Sequence, residues 1–406
     1  MFKTPRVYLD YAAATPLSKS VFLAMKPFLT DTFGNASAIH HEGVLSRRAV
    51  EEARARIAAA VQVRPEYVTF TSGGTESNNL AIAGLIEKLY RGGRTHDGME
   101  VVTTRIEHPS IMATMESLVR LGVIVKYVAV DEKGKIVLSD LKSLLNEKTV
   151  LFSCAYANSE IGTIQELHAI KKELAIVEKN FTSKIFFHLD AAQAPLWLSC
   201  QFDSLNVDLL ALDVGKCNGP KGVGMLVRSK RVLIQETLFG GGQESGLRPG
   251  TENVAGMVGA SVALSEAQHS FKKRAEKVAA VRDIGIKILL KQIPGALLNG
   301  PTGEDRLANN INISIPGLDT EFTAVVLNKH GFAVSTKSAC AGAGGGESVV
   351  VKEISGDPAR SRSTLRFSLS PETTVKNISD LAIVLQNHIA QMQTLLTLQP
   401  NTRHLS

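Results

Sequence analysis

The sequence predicts an α/β protein with a mostly parallel central sheet in a large domain and a smaller α+β domain beside it. Between residues 67 and 228, apolar runs of strand length alternate with segments of helical periodicity, which is typical of parallel strands joined by helices. A long helical stretch at 252–292 ends this alternation, and strand-like and helical segments mix again beyond it. The predicted large domain is 18–262, and the predicted small domain combines 1–17 with 263–406.

The elements follow from these patterns in chain order. Helices are predicted at 18–29 and 45–60, and residues 1–17 are too short to form a unit, so we expect them to lie across another part of the fold. The strands of the large domain are predicted at YVTF, EVVTT, VIVKYVAV, VLFSCAYA, KIFFHLD, LLALD and GVGMLVR. Its further helices are predicted at LAIAGLIEKLY, HPSIMATMESLVRL and 167–178. In the small domain, strands are predicted at NINISIP, GFAV and TLRFSLS, with helices from residues 321 and 375.

Composition narrows the class of protein. The chain has 406 residues, of which 44% are apolar and 21% charged, as in ordinary soluble globular proteins. No apolar run approaches the ~18 residues of a membrane span, and the N-terminus lacks a signal pattern, so we expect a cytoplasmic protein without a membrane partner. The net charge of +6 is scattered along the chain, so direct nucleic-acid binding is not expected.

The four cysteines are Cys154, Cys200, Cys217 and Cys340, and none forms a CxxC pair. A zinc knuckle is therefore not predicted, and no metal site is expected. Cys154 and Cys200 adjoin apolar runs, which favours buried, inert thiols. Cys340 lies in the small-residue segment STKSACAGAGGG, where its sulfur should be reachable and able to react.

A single lysine, Lys216, follows the apolar run LLALD and precedes the turn NGPKG. A lysine at the end of a buried strand can be desolvated enough to act as a nucleophile and form a Schiff base with an aldehyde. Lys216 is therefore the candidate anchor for pyridoxal phosphate. Taken alone, a solvated strand end is the commoner explanation of such a lysine.

Other polar residues also follow predicted strands. The turn TSGGTESNN contains Gly74 and Thr75 at the start of a helix, where free N–H groups could bind a phosphate or simply cap the helix. Asp190 could keep a pyridine nitrogen protonated or cap the next helix. His108 could stack on a ring, although a lone loop histidine usually has a structural role.

Three further residues could hold polar groups of a ligand. Asn158 and Gln193 follow two other predicted strands, and each could bond a ring hydroxyl or a substrate carboxylate. Arg366 lies in a predicted strand of the small domain, and its planar fork suits a carboxylate. A surface ion pair is the alternative for Arg366.

In combination and order, these motifs resemble the fold-type I, class V aminotransferase family, and within it the NifS- and IscS-like cysteine desulfurases. The resemblance covers nearly the whole chain and rests on YLDYAAATP, FGNASAIHHEG, TSGGTESNN, EHPS, ANSEIGTIQ, HLDAAQA, NGPKGVG, GGGQESGLRPGTEN, SACAG and RFSLS.

The resemblance implies a pyridoxal 5′-phosphate enzyme that converts L-cysteine to L-alanine. Lys216 would hold the cofactor and move protons, His108 would stack on its ring as a further catalytic group, and Cys340 would take the sulfur as a persulfide. The other implied cofactor residues are Asp190 at the ring nitrogen, Gln193 at the ring oxygen, and Gly74, Thr75 and a neighbouring subunit's Thr251 at the phosphate. The implied substrate residues are Asn158 and Arg366, which would hold the cysteine carboxylate.

The resemblance also implies a homodimer and a sulfur acceptor, either an iron–sulfur scaffold or a tRNA-thiolation enzyme. Two alternatives stay open: a selenocysteine lyase or other pyridoxal phosphate lyase of the same fold, and a cofactor-deficient relative that acts as a binding or regulatory subunit.

One motif departs from the family pattern. The family carries a Ser-x-His-Lys run at the anchor lysine, whereas this chain has Asp213 and Gly215 at the serine and histidine positions. A carboxylate would then replace a hydroxyl beside the phosphate. The segment after Cys340 also differs from the family, which leaves recognition of the acceptor open.

Overall fold

The computed structural model describes residues 6–181, 183–336 and 346–398. The strands are β1 Val7–Tyr8, β2 Val68–Thr71, β3 Glu100–Thr104, β4 Ile124–Val128, β5 Thr149–Ala155, β6 Phe186–Asp190, β7 Leu209–Asp213, β8 Gly224–Arg228, β9 Leu297–Leu298, β10 Asn310–Ser314, β11 Phe332–Ala333, β12 Ser335–Thr336 and β13 Thr364–Ser368. The helices are α1 Lys19–Met25, α2 Pro27–Thr30, α3 His41–Val61, α4 Gly74–Arg91, α5 Pro109–Arg120, α6 Leu138–Leu144, α7 Leu167–Phe181, α8 Phe202–Leu205, α9 Val254–His269, α10 Phe271–Gln292, α11 Thr320–Lys329, α12 Val349–Ser355, α13 Pro358–Arg362 and α14 Val375–Leu398.

The chain divides into two compact units. The large unit comprises Ala12–Ser159 and Thr163–Ala275, and the small unit comprises the described parts of Met1–Tyr11, Glu160–Gly162 and Glu276–Ser406. In the described ranges, no helix is both long and apolar enough to cross a membrane.

The large unit is built on a seven-stranded sheet with the order β2-β8-β7-β6-β5-β3-β4. Four of its strand pairs are parallel, and only β8 runs against its neighbours β2 and β7. The inner strands are buried along almost their whole length, as expected where helices cover both faces. The predicted α/β class with a mostly parallel sheet is confirmed.

The small unit contains a four-stranded antiparallel sheet with the order β12-β13-β10-β9. A separate two-stranded sheet pairs β1 with β11 in parallel, so the N-terminal segment does lie across another part of this unit. The predicted strand GFAV contains the short strand β11, and a second short strand, β12, follows directly after it.

Two predicted helices are divided in the structure. The helix predicted at 18–29 stops at Met25, and a second one starts at Pro27, because proline has no N–H to donate and fits the first position of a helix. The helical stretch predicted at 252–292 is interrupted at Ser270, between α9 and α10.

Candidate active site

The carboxyl ends of six strands lie at one edge of the large unit's sheet, and candidate residues follow five of them. Strands β3, β5, β6 and β7 are parallel, and β2 points the same way because both β2 and β7 run antiparallel to β8. This edge is where α/β sheets bind ligands. The sequence-predicted residues of this unit that lie at or just after these strand ends are Gly74, Thr75, His108, Asn158, Asp190, Gln193 and Lys216.

The turn after β2 presents free backbone donors. Gly73 has φ +153° and is the N-cap of α4 without a side-chain cap. The N–H groups of Gly74 and Thr75 have no acceptor in the described part of the chain, so they and the helix dipole favour an anion. Gly224 of β8 allows the turn to approach, since a Cβ on Gly224 would come within 2.5 Å of the Gly73 backbone.

Asp190 ends β6 as a buried carboxylate whose orientation is fixed by two donors. Ala192 N–H donates to Oδ1 at 2.9 Å, and Asn78 Nδ2 donates to Oδ2 at 2.8 Å. Asn78 lies on α4, and its Nδ2 also donates to Ser110 Oγ on α5 at 2.9 Å. A helix on each side of the strand end therefore holds the carboxylate in position.

His108 is the N-cap residue of α5, and its Nδ1 accepts the backbone N–H of Ser110 at 3.1 Å. Burial lowers the pKa of His108, although the Asp190 carboxylate acts in the opposite direction, and Lys216 lowers that pKa further. The imidazole is therefore neutral at pH 7, and because Nδ1 accepts, its proton lies on Nε2. A neutral ring of this kind can lie against a flat heterocycle without adding charge.

Lys216 lies in a short 3-10 turn that follows β7, Val214–Lys216. Thr15 stabilises this turn, since its Oγ1 donates to the Gly215 carbonyl at 3.0 Å and its own carbonyl accepts from Lys221 Nζ. The half-buried Lys216 amine makes no hydrogen bond or ion pair to any described residue. It is available to a ligand, whereas the Lys221 amine is engaged.

Two buried polar residues at this edge were not singled out from the sequence. Asn78 could have been found, because it lies four residues after Gly74 on the buried face of α4. Glu107 is buried and accepts from Thr104 Oγ1 at 2.6 Å through Oε1. Burial and the neighbouring Asp190 carboxylate raise the pKa of Glu107 to about 8, so this acid carries a proton at pH 7.

The predicted amides are anchored by loop carbonyls. Asn158 is buried and donates through Nδ2 to the Ile106 carbonyl at 2.9 Å. Gln193 is also buried, and its Nε2 donates to the Ala12 carbonyl at 2.9 Å. Thr251, in contrast, is exposed and has no hydrogen bond within the described chain.

Among the described residues, the predicted residue that belongs to the small unit is Arg366. Arg366 lies on β13 with its side chain buried, and its Nη2 forms an ion pair with Asp10 Oδ1 at 2.9 Å. Glu160 is buried in the same unit, and burial raises its pKa, while a hydrogen bond from Ser348 and the Arg366 charge oppose this rise. Cys340 lies outside the described residues.

The other three thiols are inaccessible. Cys154, Cys200 and Cys217 are at most 1% exposed and form no disulfide. Burial raises the pKa of each thiol above its ordinary value, so the nucleophilic thiolate is disfavoured. The predicted burial of Cys154 and Cys200 is confirmed.

The sequence of this chain matches one known family and several named proteins along nearly its whole length. Residues 7–381 match the aminotransferase class-V family. Cysteine desulfurase IscS of Dictyoglomus turgidum is 39% identical over 389 residues, which cover 96% of each chain. Cysteine desulfurase IscS of Clostridium botulinum is 36% identical over 387 residues, or 95% of each chain.

Solved structures are also similar to this chain over most of its length. A NifS-like protein superimposes with a TM-score of 0.86 at 30% identity and covers 95% of this chain and 100% of its own. A structure described as SspA in complex with cysteine gives a TM-score of 0.75 at 30% identity, with coverages of 90% and 99%.

Proposed function

This chain belongs to the aminotransferase class-V family, and we propose that it is a cysteine desulfurase that forms a persulfide on Cys340. The resemblance inferred from the sequence motifs is thereby confirmed at the level of the family. The proposed reaction converts L-cysteine to L-alanine and passes the sulfur to the protein. Enzymes of this family use pyridoxal 5′-phosphate, which is the cofactor of this chain.

One observation carries the proposal: an amine that no described residue engages, a fixed carboxylate and a neutral imidazole lie at one end of the sheet. The amine is Lys216, and both it and the Asp190 carboxylate influence the pKa of His108. This set matches what an aldehyde-bearing pyridine needs: an amine to attach it, an acid at its nitrogen and a flat neighbour.

The described residues fit the cofactor at its ring and offer it phosphate donors. In this proposal, Lys216 would hold the aldehyde carbon of the cofactor and would afterwards move a proton, while His108 would lie against the ring. When bound, the cofactor supplies an electron sink for the substrate's α-carbon. The residues that complete the contacts are Asp190 at the ring nitrogen, Gln193 at the ring oxygen, and the N–H groups of Gly74 and Thr75 at the phosphate.

Asn158 and Arg366 are proposed to bind the carboxylate of the substrate. Arg366 is buried and presents a planar fork suited to two parallel hydrogen bonds. Its ion pair with Asp10 uses Nη2 and compensates the guanidinium charge. An isolated buried charge would be costly, and the Asp10 carboxylate reduces that cost.

Cys340 is proposed to attack the sulfur of the bound cysteine as a thiolate. The Cβ–S bond of the substrate breaks, an S–S bond to Cys340 forms, and the substrate carbon gains a proton to become alanine. No other oxidant or reductant is needed, because the substrate carbon keeps the electron pair of the broken bond and is reduced while the transferred sulfur is oxidised. The sequence around Cys340 is made of small residues, which suits a carrier that delivers sulfur outside the site.

The persulfide is proposed to serve a sulfur acceptor, either an iron–sulfur scaffold or a tRNA-thiolation enzyme. We also propose that the protein acts in the cytoplasm. A persulfide carrier requires a reduced thiol, and reducing compartments maintain such thiols.

We further propose a homodimer in which the partner subunit's Thr251 contributes to the phosphate site. Residues 22–45 expose seven large apolar side chains, which suits an interface. They are Phe22, Leu23, Leu29, Phe33, Ile39, Val44 and Leu45. Thr251 is itself exposed, as a residue that reaches a neighbouring subunit must be.

Placing aspartates at Phe33 and Ile39 is expected to shift the protein from dimer to monomer. These side chains are 75% and 94% exposed, so the change leaves the subunit core intact but would bury two charges in an apolar interface. Analytical ultracentrifugation measures the shift, and Val325→Asp, at a 65% exposed site of the small unit, is the control. A monomeric parent protein, or equal dissociation of the control, would contradict the dimer.

The activity itself is tested with the purified protein, the cofactor and L-cysteine. We expect one alanine for each sulfur transferred, with the first sulfur appearing on the protein before a reductant releases it. Mass spectrometry and an alanine assay measure the two products, and L-selenocysteine in competition tests the preference for sulfur. Absence of alanine from protein that has bound the cofactor would contradict the proposed function.

A further inference from the structure

The anion-binding turn of the large unit faces a carboxylate, that of Asp213. Asp213 Oδ2 lies 3.6 Å from the point that a Cβ on Gly74 would occupy, and 3.9 Å from the corresponding point on Gly73. Its other oxygen, Oδ1, accepts the Gly215 N–H at 2.9 Å. The side chain is therefore directed at the turn and held there, rather than rotated away from it.

This carboxylate is not neutralised by any described residue of the chain. Asp213 forms no ion pair among them, and two cations of the large unit are engaged elsewhere. Arg248 Nε pairs with Glu76 Oε1 at 3.2 Å, and Lys221 Nζ donates to the Thr15 carbonyl. The Asp213 charge also acts across the site, since it raises the pKa of His108 against the larger lowering effect of burial.

We propose that Asp213 is a specificity-determining residue that weakens binding of the phosphate ester of the cofactor relative to the unphosphorylated aldehyde. The inference rests on the proposed function, because it assumes that the aldehyde is attached at Lys216 with its phosphate at Gly74 and Thr75. The N–H donors of the turn attract a phosphate, and a carboxylate within a few ångströms repels it. Pyridoxal, which lacks the phosphate, escapes this repulsion.

Asp213 also has a structural role, which explains why the carboxylate stays in place. As the N-cap of the turn Val214–Lys216, it satisfies the Gly215 N–H and so fixes the course of the backbone at the lysine. Asn at this position retains an oxygen acceptor and removes the charge. Asp213→Asn therefore separates the electrostatic role from the capping role.

The experiment titrates apo protein separately with pyridoxal 5′-phosphate and with pyridoxal, at one pH and ionic strength, and follows binding by visible absorbance. In Asp213→Asn we expect binding of the phosphate ester to tighten on the order of tenfold, while binding of pyridoxal changes by less than about twofold. Asp203→Asn is the charge-matched control, because Asp203 is exposed on α8 and makes no bond to a described residue. In Asp203→Asn, the ratio of the dissociation constants of pyridoxal 5′-phosphate and pyridoxal should equal that of the parent protein.

The inference would be overturned if the ratio of the dissociation constants of pyridoxal 5′-phosphate and pyridoxal were the same in Asp213→Asn as in the parent protein. Weaker binding of the phosphate ester by Asp213→Asn would also overturn it. Asp213→Ser is a second variant without the charge. Because both ligands are titrated into the same folded protein, the ratio of their dissociation constants does not depend on the stability of the variant. If folded parent protein binds neither aldehyde, the proposed function falls and the inference with it. If the parent protein binds both aldehydes but the ratio of dissociation constants is unchanged in Asp213→Asn, the inference falls and the proposed function stands.

Discussion

Lys216→Ala is expected to abolish covalent retention of pyridoxal 5′-phosphate and to lower desulfuration by about a thousandfold or more. The substitution removes both the amine that attaches the aldehyde and the group that afterwards moves the proton. No other described amine can replace it at this turn, since Lys221 Nζ is engaged by the Thr15 carbonyl. Borohydride reduction followed by peptide mass spectrometry measures retention, and the alanine assay measures turnover.

Lys221→Ala is the matched control, because it removes an amine that lies five residues after Lys216 in the chain. This variant loses the contact with Thr15 and should lose some stability, yet it should retain the cofactor on Lys216. A reducible cofactor adduct at Lys221 in the parent protein, or undiminished retention in Lys216→Ala, would contradict the proposed role.

The position of the site was predictable because it depends on strand ends. Asp190 and Lys216 each follow a mainly apolar run of strand length, and strands buried on both faces give this signal without knowledge of the tertiary structure. Alternation with helices then implies parallel strands, which brings their carboxyl ends together. Sequence order alone therefore placed most of the candidate residues at one edge.

Local contacts within the site were less predictable. That Asn78 orients Asp190, and that Asp10 pairs with Arg366, depends on which elements become neighbours in the folded units. The same holds for Asp213, which could have turned away from the phosphate turn. The sequence supplies the charge of Asp213, whereas its direction depends on the Gly215 N–H that holds Oδ1 and on the position of the Gly73 turn.

Helix starts and short elements were also missed, for reasons of propensity. The start of α4 at Gly74 falls in a stretch of Gly, Thr, Ser and Asn, all poor helix formers. Glu76 stabilises this start by accepting the Ser72 N–H at 2.6 Å through Oε2. Short elements such as α8 and β9 contain too few residues to show a period.

Burial of three of the four thiols sharpens the prediction for the fourth. A thiol that accepts sulfur must ionise and must meet both the substrate and the acceptor, whereas Cys154, Cys200 and Cys217 are buried with raised pKa values. If the desulfurase reaction proceeds through a persulfide on the protein, Cys340 is the remaining candidate.

Cys340→Ser is accordingly expected to bind the cofactor normally and to lower sulfur transfer by about a hundredfold or more, because a serine hydroxyl neither ionises at neutral pH nor forms an S–S bond. Mass spectrometry of the intact chain after L-cysteine treatment should show no added sulfur atom. Cys200→Ala is the control, since its thiol is fully buried, and it should still acquire that sulfur on Cys340. Sulfide release by Cys340→Ser at the parent rate, with a dithiol present, would place the sulfur-accepting step elsewhere and would remove Cys340 from the mechanism.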